Sequence, residues 1–119
     1  MLKKPHKKLG VWQKSVLMVR TIYELTKALP QSESYGLTNQ MRRSAVSVPA
    51  NIAEGAARNT KKEFIQFLHT AQGSLSELDT LMEICLILEY VQGSDVNAVS
   101  VLMNDIDKML TGLIKSLKK

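Results

Sequence analysis

Two histidines, one cysteine and eleven carboxylates are the side chains in which acid–base, thiolate or metal chemistry would first be sought. His6 lies in a lysine-rich segment and His69 among Gln66, Gln72 and Ser76, on what reads as the polar side of a helix. Di-metal four-helix bundles need Glu-x-x-His on paired helices. No glutamate here has a histidine three residues later, so that centre is not expected. Cys85, in "ICLIL", has no basic neighbour to stabilise a thiolate and reads as a buried thiol packed as a small hydrophobe. A lone cysteine cannot close an intramolecular disulfide, which suits a reducing compartment. Glu77, Asp79 and Glu83 could be arranged as catalytic carboxylates, but a solvated or interface-facing charge stripe is the simpler reading. Gly55 and Gly73 fall inside helical patterns, so no glycine loop is left to cradle a phosphate. These residues predict no enzyme, no metal, no cofactor and no small-molecule substrate.

The basic residues are more suggestive. Residues 1 to 62 hold 12 Lys and Arg against 3 acids, whereas residues 63 to 119 hold 4 against 8. Arg42, Arg43, Arg58, Lys61 and Lys62 flank the second helical segment, and Lys3, Lys4, Lys7 and Lys8 form an N-terminal tail. Together they are candidate nucleic-acid contacts. With aromatics at only 5%, binding to RNA or DNA would rest on phosphate charge more than on stacked bases. Competing roles are visible for each. Arg58 can pair with Glu54 one turn back, Arg43 and Glu54 share a helix face, and Arg42 could bridge to an acidic neighbouring subunit. For the arginines structural pairing ranks first, and for the tail lysines disorder does.

The elements that must position these groups are all helical. Apolar residues recur at spacings of three and four from Val11 to Leu29, from Leu37 to Arg58, from a Thr60 cap to near Val91, and from Ser94 or Asp95 to Leu117. Thr60 and Glu63 have the spacing of a capping box. No segment alternates as a strand would, and the loops are short, which favours antiparallel neighbours. The expected fold is all-α: an antiparallel up-down four-helix bundle forming one domain over residues 1–119, with residues 1–8 as the tail and 9–117 as the bundle. Its longest apolar run, Ile84 to Leu88, is far too short to span a membrane. No secretion signal is evident, so a cytoplasmic location is expected.

One segment breaks the usual rules. "MRRSAVSVPANIAEGAAR", residues 41–58, places Pro49 inside an amphipathic helix, where proline costs about 3 kcal/mol. A new helix beginning at Pro49 would have Val48 as its cap, and valine caps poorly. A kinked second helix, whose small residues allow close packing against Trp12, Phe64 or Phe67, is the reading preferred here. With "VWQ" (11–13), "YGLTNQMRRSAVSVPANIAEG" (35–55) and "EFIQFLHTAQGSLSELDT" (63–80), the chain resembles the four-helix bundle proteins encoded by intervening sequences in bacterial 23S rRNA genes. The resemblance covers residues 9–117. It implies an antiparallel bundle assembled as a ring, typically a pentamer, without enzymatic activity; related proteins accompany diversity-generating retroelements, where a basic surface engages nucleic acid.

Oligomerisation is also expected from the residues alone. The first helix carries two apolar stripes, one at 12, 16, 19 and 23 and one at 11, 18, 22, 25 and 29, where an isolated bundle needs one. Residues 81–88 are nearly apolar all round. A homo-oligomer would cover the surplus, and the unequal charge of the two halves suits a head-to-tail contact.

Overall fold

A computed structural model describes all 119 residues. Four helices follow one another: α1 Gly10–Thr26, α2 Leu37–Ala56, α3 Lys61–Ile87 and α4 Gly93–Leu117, with 3₁₀ turns at Pro5–Lys8 and Gln31–Glu33. The periodic stripes become the interior. Met18 and Ile22 of α1, Met41, Val48 and Ile52 of α2, Leu68 and Leu78 of α3, and Ile106 and Leu110 of α4 join a single cluster of 22 buried apolar residues. One cluster means one core, and the aromatic-poor composition makes it aliphatic.

Consecutive helices pack on each other and α4 packs on α1, while the backbones of α1 and α3, and likewise of α2 and α4, lie diagonally apart. The most extensive contact is between α2 and α3. At one end of it Gly55 abuts the phenylalanines of α3: a Cβ at position 55 would lie 2.7 Å from Phe67 Cβ and 2.9 Å from Phe64 Cδ1. Towards the middle, Ser44 donates to the Ser74 carbonyl at 2.8 Å and the Ser47 and Ser74 hydroxyls are 2.8 Å apart, and at the other end Met41 meets Cys85 with sulfurs 3.5 Å apart. Pro49 is buried within α2, which the backbone follows without a break from Leu37 to Ala56, so proline does not open a new helix. Small side chains are what let two backbones come this close. Trp12 is not among the residues against Gly55; its indole instead meets the edge of the His6 ring, 5.1 Å between centroids.

Several helix ends differ from those expected, for local reasons. α1 stops at Thr26, not Leu29. There the Thr26 hydroxyl bonds back to the Ile22 and Tyr23 carbonyls at 2.8 and 3.1 Å, and Pro30 bars any continuation. α2 ends at Ala56 rather than Arg58. Thr60 does cap α3, accepting from the Glu63 N–H at 3.1 Å, but the Glu63 carboxylate takes the Thr60 hydroxyl at 3.0 Å and not its backbone N–H, so half of the expected box forms. α4 is capped by Gln92, with Asp95 accepting from the Gln92 N–H at 2.8 Å; neither Ser94 nor Asp95 is the cap itself. The N-terminal tail is not a loose strand of lysines. Pro5 opens a 3₁₀ turn that packs on α1 and α2, and the Gln13 side chain donates to the Lys7 carbonyl at 2.8 Å.

α3 ends in a Schellman arrangement in which Glu89 donates its N–H to Leu86 O at 3.0 Å and Tyr90 to Cys85 O at 2.9 Å. Glu89 adopts φ 61°, the left-handed conformation that glycine normally fills. The Glu89→Gly variant should therefore be more stable by about 1 kcal/mol, read as a higher denaturant midpoint at unchanged slope; a lower midpoint would show that the glutamate side chain contributes more than its backbone costs.

Candidate nucleic-acid interface

Charge in this chain is separated, not paired. Among 16 Lys and Arg and 11 Asp and Glu there are three ion pairs: Lys14–Asp105 at 3.2 Å, Lys27–Glu24 at 3.1 Å and Arg58–Glu54 at 3.1 Å. From Glu63 to Asp107 there is no lysine or arginine at all. Most free cations must then face something outside the chain, or only water.

The sequence candidates divide into two groups. Arg42 is committed: its Nε donates to Thr26 Oγ1 at 2.9 Å and its guanidinium lies 4.5 Å from the centre of the Tyr23 ring, so it closes the end of α1. Arg58 is held by Glu54 and by the Phe67 face, 4.8 Å away. Arg58 thus meets the glutamate one turn back, whereas Arg42 engages α1 of its own chain and no acid. Arg43, Lys61 and Lys62 are exposed and make no ion pair or hydrogen bond. Of the tail, Lys3, Lys4 and Lys8 are exposed and Lys7 bonds the Leu2 carbonyl.

Lys61 and Lys62 occupy the first two positions of α3. That is the positive end of the helix dipole, where a cation costs roughly 0.3–1 kcal/mol and a carboxylate would be favoured. Nothing in the folding of α3 asks for lysine there.

The packing of the helices brings further cations to the same place. A Cβ at Gly10 would lie 3.1 Å from Met109 Cε, Lys14 meets Asp105, Gln72 donates to Thr111 at 3.1 Å, and Gly55 meets Phe64 and Phe67. These contacts gather the start of α1, the end of α2, the start of α3 and the last turns of α4. Lys3, Lys4, Lys7, Lys8, Arg58, Lys61 and Lys62 are therefore joined by Lys115, Lys118 and Lys119, which had read only as a fraying terminus. Arg43 is not part of this group; it sits near the start of α2, at the other end. The signal that could have found the C-terminal lysines was the folding-back of four helices, not any property of residues 115–119 themselves.

The opposite end is acidic and carries a polar latch. Glu33 accepts from the Leu37 N–H at 3.2 Å and from the Tyr90 hydroxyl at 3.1 Å, tying the loop before α2 to the loop after α3. That hydrogen bond, with burial and the carboxylate charge behind it, pushes the Tyr90 phenol above its ordinary pKa. Burial, followed by the nearby Glu33 charge, raises Cys85 as well, which keeps it a thiol. Between α3 and α4 a groove of about 420 Å³ is lined by Ser76, Asp79, Thr80, Ser100, Asn104 and Asp107 among others, with no basic side chain. His69 is exposed, and His6 is half-buried against Trp12; the two do not meet. No helix is long and apolar enough to cross a membrane.

Fold and surface together define a small all-α, four-helix protein whose chemistry is carried by a basic end and acidic flanks. Residues 7–112 match the family model of the 23S rRNA-intervening sequence proteins, and the chain belongs to that family. It is also similar to a solved protein of unknown function from the S23 ribosomal protein family of Bacteroides thetaiotaomicron VPI-5482, at 26% identity and a TM-score of 0.81, covering 88% of this chain and 98% of that one. No curated protein matches it in sequence.

Proposed function

We propose that this chain is a non-enzymatic, homo-oligomeric bundle that binds nucleic acid, structured RNA or duplex, through its basic end, in the cytoplasm. The observation that carries this reading is the crowding of ten lysines and arginines at one end of a chain whose residues 63–107 have none. Lys61 and Lys62 support it further, because they stand where folding alone would favour acids. In this reading the bundle is up-down and antiparallel and α2 bends at Pro49; the order of the α2–α3 contacts, from Met41 with Cys85 to Gly55 with Phe64, supports the first. A ring of subunits, a pentamer by family resemblance, would present several basic ends at once and raise avidity.

The test is the salt dependence of binding to duplex RNA. Affinity should fall linearly on a log–log scale with a slope of about −0.9 per phosphate contact. Binding that is absent at low salt, or indifferent to salt, would leave the second reading, a protein assembly module without a nucleic-acid partner. That reading is favoured by the apolar residues left on the surface of α1 and α3.

A further inference from the structure

The second apolar stripe of α1 is only half covered: Trp12 and Val19 pack against the core, but Val16 and Tyr23 stay at the surface. Val16 is 42% and Tyr23 40% exposed, and across the seam Val46 of α2 is 42% exposed. Arg20, four residues after Val16 and three before Tyr23, shares that face, and Arg43 stands one turn before Val46. The Arg42 guanidinium over the Tyr23 ring holds the aromatic group in place. A second uncovered patch lies at the end of α3. Ile84, Ile87 and Leu88 are 37%, 77% and 48% exposed. Glu77 shares the face of Ile84, seven residues on, and Glu83 that of Ile87, four residues on; neither acid is in an ion pair.

We propose that these two surfaces are the halves of one interface: the α1 stripe of one copy, with Arg20 and Arg43, docks on the last turns of α3 of the next copy, with Glu77 and Glu83. This names the faces by which the oligomer of the proposed function assembles, and it rests on that reading. Three observations select a second copy as the occupant. Val16, Tyr23, Ile84, Ile87 and Leu88 are all exposed in the single chain, so the patches do not cover each other within it. Their charges are opposite and unpaired, so each supplies what the other lacks. Like-with-like docking would instead set Arg20 and Arg43 against themselves. The contact is therefore heterologous, and its propagation closes a ring or extends a filament. A Tyr flanked by Arg is also the composition that anchors interfaces.

Light scattering on the full chain and its variants tests this. The wild type should exceed the 13.3 kDa subunit mass. Val16→Glu alone and Ile87→Lys alone should each fall to a single subunit, because every contact then has one damaged face. An equimolar mixture of the two should recover species of two or more subunits, since each brings the intact face the other needs. Arg20→Glu, which removes no apolar group, should also lower the mass. Leu17→Glu, 55% exposed on the flank of α1 that faces α4, should keep the wild-type mass. Circular dichroism confirms that each variant is folded. A wild type of one subunit overturns both this interface and the oligomer. A larger wild type whose mass survives Val16→Glu, Ile87→Lys and Arg20→Glu overturns the interface and leaves the oligomer. Variants that dissociate but do not recover on mixing overturn the head-to-tail pairing.

Discussion

Gly55→Ala should lower stability, although the same change in an open helical position raises it. Alanine is favoured over glycine in a helix interior by about 1 kcal/mol. At position 55 the new methyl would sit 2.7 Å from Phe67 Cβ and 3.3 Å from the Phe64 carbonyl. Those atoms are anchored to α3, so relief requires the helices to part. Overpacking of this kind costs roughly 1–3 kcal/mol and should outweigh the propensity gain. Gly55→Leu should cost more than alanine and lower the thermal midpoint by roughly 4–12 °C. Gly73→Ala is the matched control: it lies inside α3 with nothing within 4 Å of its Cβ, and it should raise the midpoint. Calorimetry on the three variants checks the sign at each site. A midpoint that rises at both glycines would mean that α2 and α3 separate freely at that end.

The double variant Lys61→Glu, Lys62→Glu should separate folding from binding. Reversing two cations at the positive end of the α3 dipole should stabilise the helix by up to about 1 kcal/mol. If each lysine meets one phosphate, the log–log salt slope should flatten by about 1.8 and affinity for duplex RNA should drop roughly 50-fold near 0.1 M salt. Lys27→Gln, at the end of α1 away from the basic cluster, should leave the salt slope near that of the wild type. Fluorescence anisotropy over a salt series, with a melt of each variant, reads both quantities. Unchanged binding in the double variant would move the interface away from the start of α3.

The helices were legible because burial follows spacing. Val11, Met18 and Ile22, or Leu68, Leu75 and Leu78, repeat at three and four residues whatever their neighbours do. The close approach at Gly55 was legible too, since a run of Ser, Ala and Gly around Pro49 has few other uses. Helix ends were harder, because they depend on side chains turning back on particular backbone atoms. Gln92 caps α4 through a bond no periodicity announces, and Glu89 takes a conformation for which glycine is the usual sign. The basic end was only half visible. Counting charge along the chain placed the lysines of residues 1–62 together, but Lys115, Lys118 and Lys119 join them only through packing, and Arg43 leaves the group for the same reason. Arg42 and Arg58 stood out by charge, yet each is drawn in by a neighbouring ring and an oxygen, Tyr23 and Thr26 for one, Phe67 and Glu54 for the other.

The seam between α1 and α4 is the one helix contact not made by consecutive elements, and its ion pair joins residues 91 positions apart. Closing so long a loop has an entropy cost that local hairpins escape. α2 and α3 can zip from their connecting turn as soon as both exist, whereas α1 must wait for the last quarter of the chain. During synthesis the stripe of Val11, Met18 and Ile22 therefore stays uncovered on its α4 side until α4 has emerged from the ribosome. This interval, more than any feature of the finished molecule, is when the nascent chain is open to mispairing with its siblings.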